Sequence, residues 1–472
     1  MSERDMSKRR DFISGSLALG GGALASMAIT SADASTSLSN NCINVTEAPY
    51  SAVGDGVAND TVAFQSALDD AGSLGGGIVF VPTGYYLLDA IEVPRNVTLR
   101  GVFEMPPNWK ASFTTAENEL PQGTTLVASS YTEGVDEAFI SLAHHNATVK
   151  GLIIYYPGQS KTNPVNYSYT IRGGTPQNQS CDNLSVIDVL LVNSFKGIDF
   201  GKYRIGRHLI QRVYGRPISV GIYIDNCQDT GRIEDVHFWP FWAAEPSSGV
   251  NGYIANNGVA LWLRKSDWQI VNNFFCFGYK IGVKFDKEAE KTNGSGQTYY
   301  LGALGGQGTN GQFTNLNIDA ANIGIEADYI ATQGVTLSNV NIACSSFYGA
   351  TTRIAITQPQ NAQYRGPFTI TNGNFWGDFA TNIISFAGTN PGVEPGPLRV
   401  SNCHFNGWTG VAAISLVSGR ASIQGNYFKD LRGKSVYIGS GCDRVIIMGN
   451  HFVGNPVENY GSPNLTIIAN NL

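Results

Sequence analysis

Short apolar segments with a distinctive polar position recur along most of the chain. Each has an apolar residue, a third position that is usually Asn, Gly or Asp, and an apolar end. The segments are VKGLII (149–154), VIDVLL (186–191), IQRVYG (210–215), IEDVHF (233–238), IVNNFF (270–275), FTNLNI (313–318), LSNVNI (337–342), ITNGNF (370–375), VSNCHF (400–405), IQGNYF (423–428) and IMGNHF (447–452). Their last residues are repeatedly separated by 23 or 24 residues, and longer separations contain an insertion. This period predicts a stack of similar coils.

A unit of this length fits one coil of a parallel β-helix, which contains three short strands and three turns. Apolar side chains alternate along each strand, so one row points inward. A β-sandwich gives no such period, and a propeller blade needs about 40–45 residues. The sequence therefore predicts an all-β fold, a single-stranded right-handed parallel β-helix over residues 96–472.

The polar third position is predicted to form a sharp turn between two strands. Asn tolerates the left-handed backbone that such a turn needs, and its amide can bond to the Asn of the next coil. Five successive coils carry it, which predicts a ladder of Asn272, Asn315, Asn339, Asn372 and Asn402.

Residues 35–95 are predicted to form an N-terminal cap and the first coil, because the first rung of a β-helix would otherwise expose unpaired strand edges. A capping helix is expected from Asp60 to about Ala71. Its residues available for burial are Val62, Phe64, Ala67 and Leu68. A run of three glycines (75–77) ends the helix, and IVFVP (78–82) is predicted to be a buried strand.

This cap region resembles that of a known superfamily. The segments YSAVGDG (50–56), DT (60–61), AFQ (63–65), AL (67–68) and GGGIVFVPTGYY (75–86) are similar to the N-terminal cap of the pectate lyase superfamily, which polygalacturonase-like hydrolases and several phage tailspikes share. The resemblance implies a β-helix whose substrate lies along the third strand of each coil. The chain departs from ordinary polygalacturonases, because it lacks their N-T-D, G-H-G and R-I-K motifs.

Composition narrows the possible partners. The net charge is −6 and there is no Lys/Arg-rich run, so nucleic acid is not expected. The seven Cys are scattered without C-x-x-C spacing, which excludes metal fingers and redox motifs. The odd count leaves at least one free thiol; buried thiols are expected, with one disulfide as the alternative. The six His show no metal-binding spacing, and no cofactor is predicted. No segment has the roughly 18 unbroken apolar residues of a membrane span.

Residues 1–34 are predicted to be a twin-arginine signal peptide. KRRDFI (8–13) precedes a weakly apolar Gly/Ala-rich stretch, and Ala32-Asp33-Ala34 fits an A-x-A cleavage site. This segment predicts export to the periplasm or beyond by the twin-arginine translocation machinery.

The third strand of each coil carries the candidate chemistry. These strands are GIDF (197–200), GIYID (221–225), GVALWLR (258–264), GVKFD (282–286) and GIEAD (324–328). Alternation predicts one outward column of Asp199, Tyr223, Ala260, Lys284 and Glu326. A neighbouring column is predicted to hold Asp225, Trp262, Asp286 and Asp328, with Arg264 one step beyond Trp262.

Two insertions are expected to wall a cleft on opposite sides of these coils. Residues 239–257 carry Trp239 and Trp242, and residues 287–310 carry Tyr299 and Tyr300. Aromatic rings stack on sugar faces, and long loops on rigid scaffolds are often functional. The predicted substrate-binding residues are Tyr223, Trp239, Trp242, Trp262, Arg264, Tyr299 and Tyr300.

The predicted function is glycoside hydrolysis of a polysaccharide. The candidate catalytic residues are Asp225, Asp286, Asp328, Glu326 and Lys284. Strand spacing places Asp286 and Asp328 about 4.8 Å apart and Asp225 about twice that from Asp286. Carboxyls about 5 Å apart suit retaining hydrolysis, and about 6.5–9.5 Å apart suit inverting hydrolysis.

Alternative functions remain open. A polysaccharide lyase would use Lys284 or Arg264 as the base beside a uronate carboxyl, with Ca²⁺ held by Asp225, Asp286 and Asp328. The groove is more acidic than basic, which disfavours this alternative. A non-cleaving exopolysaccharide assembly or binding protein, a sugar epimerase and a tailspike-like fibre are further alternatives. The protein is expected to be a monomer or a trimer.

Overall fold

The computed structural model describes residues 42–104, 123–129, 136–239, 249–292, 295, 297–300, 307–347, 349–358, 363–364, 366–386, 396–461 and 466–472. The predicted signal peptide and Trp242 lie outside these residues. Two helices occur in the described part, α1 (Thr61–Ser73) and α2 (Val250–Asn257). Neither is long and apolar enough to cross a membrane.

The first strands form the cap and the opening coils. They are β1 (Cys42–Asn44), β2 (Asp55–Asn59), β3 (Gly77–Phe80), β4 (Gly84–Leu88), β5 (Ile91–Val93), β6 (Val97–Arg100), β7 (Thr124–Ala128), β8 (Ile140–Leu142), β9 (Thr148–Tyr155), β10 (Tyr169–Gly173), β11 (Ser180–Asp182) and β12 (Ser185–Val192).

The middle coils carry the candidate site. Their strands are β13 (Lys196–Phe200), β14 (Arg204–Gly206), β15 (Leu209–Gly215), β16 (Val220–Ile224), β17 (Arg232–Phe238), β18 (Val259–Leu263), β19 (Ser266–Phe277), β20 (Ile281–Phe285), β21 (Lys291–Thr292), β22 (Thr298–Tyr299), β23 (Thr309–Asp319), β24 (Ile323–Ala327), β25 (Tyr329–Ser338) and β26 (Asn341–Ala343).

The last strands complete the described coils. They are β27 (Ser346–Phe347), β28 (Ala350–Thr351), β29 (Ile354–Gln358), β30 (Gln363–Tyr364), β31 (Phe368–Thr371), β32 (Asn374–Trp376), β33 (Asn382–Phe386), β34 (Leu398–Ser401), β35 (His404–Asn406), β36 (Ala412–Gln424), β37 (Tyr427–Met448), β38 (His451–Asn459) and β39 (Thr466–Ala469).

The strands confirm the predicted right-handed parallel β-helix. Thirty-three of the described strands belong to one continuous sheet, and each pairs in parallel with the equivalent strand of the next coil. Only two short hairpins among the described residues, β21–β22 and β27–β28, are antiparallel. One face, here called the site sheet, runs through β5, β8, β10, β13, β16, β18, β20, β24, β29 and β33.

The site sheet is held by an inward row of branched aliphatic side chains. Successive coils pair Ile91, Ile140, Ile171, Ile198, Ile222, Leu261, Val283, Ile325, Ile356 and Ile384 in register. All of them are at most 1% exposed. Burying one such side chain contributes about 1.5–3 kcal/mol, so this row fixes which residues of each strand face solvent.

The capping helix forms where the sequence predicts it. Asp60 precedes α1, and its carboxylate accepts hydrogen bonds from the backbone N–H groups of Val53 and Gly54. Phe64 and Leu68 are buried, but the predicted burial of Val62 is wrong, because it is 78% exposed. Val62 lies about 200° around the helix from Phe64, on the face turned away from the coils.

The left-handed turns confirm the third-position prediction in every segment except one. Asn315, Asn339, Asn372 and Asn402 all have φ near +54°, but in their predecessor the turn residue is Asn273. Asn272 instead lies in β19, where it is in register with Glu234 of β17 and Thr314 of β23. The segment has two adjacent Asn, so the pattern alone fits either one.

Part of the predicted Asn ladder is present. The Nδ2 of Asn339 donates to Oδ1 of Asn315 at 3.3 Å, and the Nδ2 of Asn315 donates to Oδ1 of Asn272 at 3.0 Å. A second ladder, which the repeated segments do not predict, joins Asn183, Asn146 and Asn96 at another turn. All seven thiols are free, and six are buried.

Candidate active site

One outward column of side chains runs along the site sheet and is here called the outer column. It contains Arg172, Asp199, Tyr223, Trp262, Lys284 and Glu326, which are paired in register from β10 to β24. The prediction is correct for Asp199, Tyr223, Lys284 and Glu326. It is wrong for Ala260, whose place Trp262 takes.

The error at Ala260 has a packing cause. Leu261 and Leu263 of β18 point inward beside Ile222 and Ile224 of β16, so Trp262 faces outward. Ala260 is fully buried and its carbonyl lies against Gly221, where an added Cβ would meet that oxygen at 2.2 Å. The segment GVALWLR (258–264) therefore begins two residues earlier, relative to the sheet register, than GIYID (221–225) in the coil before it.

A second set of side chains follows the strand ends and is here called the end column. Asp225, Arg264, Asp286 and Asp328 come directly after β16, β18, β20 and β24. The backbone N–H groups of Arg264, Asp286 and Asp328 each bond to the coil before. Arg264, not Trp262, therefore belongs to the end column.

Lys284 joins the two columns. Its Nζ lies 3.0 Å from Oε1 of Glu326 and 3.0 Å from Oδ2 of Asp328. Burial lowers the pKa of Lys284, but the two carboxylates outweigh it, and the net shift is upward. The ammonium therefore stays charged, and it holds two carboxylates of the same coil close together.

Trp262 provides an aromatic surface beside this group. Its ring packs edge-on to Tyr223, with ring centres 5.4 Å apart. The Arg264 guanidinium lies 4.9 Å and the Lys284 ammonium 5.8 Å from the Trp262 ring centre, both within cation–π range. An aromatic face flanked by charged groups suits a hydroxyl-rich ring such as a sugar.

Arg264 and Asp286 form a separate pair in the end column. Their closest atoms, Nη2 and Oδ2, are 3.2 Å apart, and Nη1 of Arg264 donates to the Lys287 carbonyl at 3.0 Å. The other oxygen of Asp286 accepts from the backbone N–H of Lys287. Asp286 and Asp328 are thus held by different cations.

Two donors of the site lack acceptors within the described part of the chain. They are the indole Nε1 of Trp262 and the guanidinium Nε of Arg264, and both atoms are buried. Buried donors are rarely left without an acceptor in native proteins. Because the Arg264 guanidinium lies over the Trp262 ring, the site has two neighbouring N–H donors whose hydrogen-bonding capacity is unused.

Asp225 does not face the groove as predicted, because its side chain is fully buried. Its carboxylate accepts hydrogen bonds from the backbone N–H groups of Lys265 and Ala289 and from the Tyr223 hydroxyl. Burial raises the pKa of Asp225 to about 6, although Lys291, 3.9 Å away, opposes the shift. Asp225 therefore anchors the loop that follows β20.

That loop contains the β21–β22 hairpin and both predicted tyrosines. Tyr299 pairs with Lys291 in the hairpin and is 42% exposed. Tyr300 donates its hydroxyl to Glu290, and the Lys287 ammonium lies 5.3 Å from its ring centre. A hydrogen bond with Tyr300 raises the pKa of Lys287. The hairpin stands at the end-column side of the site sheet, as predicted.

In the described part of the other insertion, Trp239 lies away from the site sheet. Trp239 packs against His237, Phe275 and Phe277 on the neighbouring sheet formed by β17 and β19. The helix α2 precedes β18, and its Tyr253 packs against Phe195. The described parts of the two insertions, α2 before β18 and the hairpin after β20, lie at opposite ends of the site-sheet strands.

The outer column extends further toward the N-terminus than the sequence analysis placed it. Arg172 donates from Nε to Oδ2 of Asp199 at 2.8 Å, and both are nearly buried. Beside them is a cleft of about 420 Å³, here called the N-terminal cleft, lined by residues that include Glu92, Glu137 and Lys202. The strand YTIRG (169–173) has the same alternation as GIDF (197–200), which is the signal that identifies Arg172.

No cluster of three or more His, Cys, Asp or Glu side chains able to hold a metal ion occurs among the described residues. The three aspartates considered for Ca²⁺ have separate surroundings. Asp225 is covered by the hairpin loop, Asp286 pairs with Arg264, and Asp328 pairs with Lys284.

Comparison with known proteins gives one family match and several distant similarities. Residues 42–195 match the family described as "Rhamnogalacturonase A/epimerase, pectate lyase-like". The chain is 47% identical over 47 residues to mannuronan C5-epimerase AlgE1 of Azotobacter vinelandii, which is 10% of this chain and 3% of that protein. It therefore spans only a few per cent of the length of this relative.

Comparison with solved structures gives two similarities at low sequence identity. The tailspike protein of E. coli bacteriophage HK620, in complex with a pentasaccharide, has a TM-score of 0.52 at 12% identity, covering 92% of this chain and 79% of that one. The A-module of mannuronan C-5 epimerase AlgE6 of Azotobacter vinelandii has a TM-score of 0.48 at 14% identity, covering 91% and 98%. The family match confirms the resemblance of residues 42–195 to pectate lyase-like proteins. The tailspike likeness supports the right-handed β-helix fold.

Proposed function

We propose that this chain is an exported enzyme that hydrolyses a polysaccharide in the groove along the outer column. The observation that carries the proposal is the position of Lys284, 3.0 Å from both Glu326 and Asp328. The two carboxylate oxygens are therefore at most about 6 Å apart, a limit that is compatible with the spacing of about 5–5.5 Å that suits retaining hydrolysis. The strand spacing in the sequence pairs Asp328 with Asp286 instead.

The surroundings suggest a role for each carboxylate. The Glu326 side chain is 15% exposed and that of Asp328 is 30% exposed. Glu326 lies in the outer column in line with Trp262, and Asp328 lies in the more exposed end column, so the proposal assigns Glu326 as the general acid and Asp328 as the nucleophile. Lys284 positions both, and Trp262 supports the sugar ring beside them.

Charge favours an uncharged sugar at this point of the groove. Three carboxylates (Asp286, Glu326 and Asp328) outnumber the two cations, Arg264 and Lys284, and each cation is already paired. A uronate carboxylate would add another negative charge to this group. Export by the twin-arginine route is part of the proposal and rests on residues 8–34 of the sequence.

The test is incubation of the full chain with neutral and uronic polysaccharides, with and without EDTA. New reducing ends without the ultraviolet absorbance of unsaturated uronates are expected, on neutral polymers and with no loss in EDTA. Absence of new reducing ends on every polymer would reject hydrolysis and favour a binding or assembly role.

A second candidate is proton abstraction from a uronate, by elimination or epimerisation. The observation that favours it is the presence of Arg264 and Lys284 on the same Trp262 ring, where they would face a sugar carboxylate. The family description and the short epimerase match agree with this chemistry. Elimination would give ultraviolet absorbance in the same assay, and epimerisation would change the uronate composition, measured by NMR, without new reducing ends.

A further inference from the structure

The N-terminal cleft is a polar cavity on the face that carries the proposed active site. Its volume of about 420 Å³ falls within the range of about 300–1,000 Å³ that is usual for small-molecule sites. The wall combines carboxylates, cations, a hydroxyl and an amide. These include Glu92, Glu137, Ser141, Arg172, Gln177 and Lys202.

The cleft is aligned with Trp262. Arg172 of the cleft and Trp262 belong to the same outer column and are three coils apart, with Asp199 and Tyr223 between them. Adjacent parallel strands are about 4.8 Å apart, so the separation is about 14 Å. The hairpin loop borders this path, because Nζ of Lys291 donates to the carbonyl of Gly201, next to Lys202.

The charge of the cleft limits what it can bind. The Arg172 guanidinium pairs with both Asp199 and Asp136, and the Lys202 ammonium also pairs with Asp136. Glu92 and Glu137 add two further carboxylates to the wall. Burial, followed by repulsion from Glu137, raises the pKa of Glu92, as expected where negative charge is in excess. A carboxylated sugar would meet repulsion here.

Sugar hydroxyls match this wall better than charged groups do. A hydroxyl both donates and accepts, so it can donate to Glu92 and Glu137 and accept from Lys202. Charge-assisted hydrogen bonds of this kind are roughly twice as strong as neutral ones. Pro176 and Tyr203 add apolar surface to the same wall.

We propose that the N-terminal cleft is a remote subsite that binds an uncharged, hydroxyl-rich sugar of the same glycan chain that lies on Trp262. This inference rests on the proposed function, because it assumes a glycan in the groove. This subsite makes the enzyme selective for long, neutral chains, because short fragments bind only at the Trp262 end.

The test compares chain length and charge in a calorimetric titration. The Asp328→Asn variant of the full chain, in which turnover is expected to be at least about a hundredfold slower, is titrated with neutral tri- and hexasaccharides of glucose, mannose, galactose and xylose, and with hexagalacturonate. For at least one neutral series, the hexasaccharide is expected to bind at least about tenfold tighter than the trisaccharide, since the second contact is intramolecular. Added Glu92→Ala or Lys202→Ala should remove that gain and leave trisaccharide binding unchanged.

Arg432→Ala is the control, because it breaks an exposed ion pair with Asp378 away from the cleft. The inference is overturned if no neutral series gains with length, if the cleft variants keep the gain, or if hexagalacturonate binds tighter than every neutral hexasaccharide. A separate reducing-end assay of the unmodified chain distinguishes the two claims. A length-dependent gain without hydrolysis rejects the proposed function alone, and hydrolysis without that gain rejects the subsite alone.

Discussion

The backbone N–H of Ala289 donates a 3.1 Å hydrogen bond to Oδ2 of Asp225, although 64 residues separate them in the sequence. This bond ties the hairpin loop after β20 to a coil two strands earlier. Burying a carboxylate costs free energy unless it is hydrogen-bonded. The Asp225 carboxylate accepts hydrogen bonds from two backbone N–H groups and one hydroxyl. Asp225 thus acts on the site through the loop that it holds.

Asp225 makes the stability of the protein depend on pH in a direction that can be measured. Burial raises its pKa to about 6, above the unfolded value of about 3.9. The native state therefore binds more protons between these values, and stability falls as pH rises from about 4 to about 6, by up to about 3 kcal/mol. Asp225→Asn does not titrate there, so the melting temperature of the parent should fall relative to the variant over this window.

The control for this comparison is Asp378→Asn, which alters an exposed carboxylate. Its melting temperature relative to the parent should stay nearly constant across the same pH range. A constant difference between the parent and Asp225→Asn would mean that the Asp225 carboxyl does not titrate in this window.

Lys284→Met should destabilise the protein most at neutral pH. Without the ammonium, the ionised Glu326 and Asp328 lose their shared partner, at a cost of about 1.5–3 kcal/mol. Acid weakens ion pairs in general because it protonates carboxylates, so the loss should be smaller at pH 3. Melting temperatures at pH 7 and pH 3 measure this, with Lys284→Arg as the charge-preserving control. An equal loss at both pH values would show that Lys284 acts through packing alone.

Trp262→Ala should weaken substrate binding more than it slows the chemical step. The ring is the aromatic surface beside Lys284, and its removal should raise KM about tenfold with a smaller change in kcat. Trp376→Ala is the matched control, because Trp376 is 40% exposed on a different sheet. Equal effects of the two substitutions on KM would place the substrate elsewhere.

Asn315 should contribute to stability through both its backbone and its amide. Its φ of +54° is unfavourable for Ala, and its amide bonds to the Asn of both neighbouring coils. Asn315→Ala should cost about 1–3 kcal/mol, and Asn315→Gly less, because Gly adopts this backbone freely. Thermal unfolding should rank the parent above Gly and Gly above Ala; an Ala variant as stable as the parent contradicts the ladder.

The sequence was sufficient to predict the fold because its period repeats in nearly every coil. Inward Ile222 and outward Tyr223 follow from alternation once the core row is located. Trp262 was misplaced, because Ala260 stands where the equivalent strands have Gly and the segment starts earlier. A repeat pattern fixes the faces of a strand only where its starting residue is known.

The repeat pattern did not predict how the loops pack or which ion pairs form. Asp225 has the same position after its strand as Asp286 and Asp328, yet it is buried, because a loop from two coils away covers it. Trp239 was assigned to the cleft from its loop, but it packs with Phe275 on another sheet. Such contacts depend on the path of each insertion, which no repeat specifies.

The central claim is that Glu326 and Asp328 form the catalytic pair. The most direct measurement is kcat/KM for release of reducing ends by Glu326→Gln, Asp328→Asn and Asp286→Asn. Glu458→Gln serves as the control, since Glu458 pairs with Tyr437 in a distant coil of the same face. Glu326→Gln and Asp328→Asn should each lose at least about a hundredfold, while Asp286→Asn and the control lose far less. Full activity in both Glu326→Gln and Asp328→Asn would contradict the account.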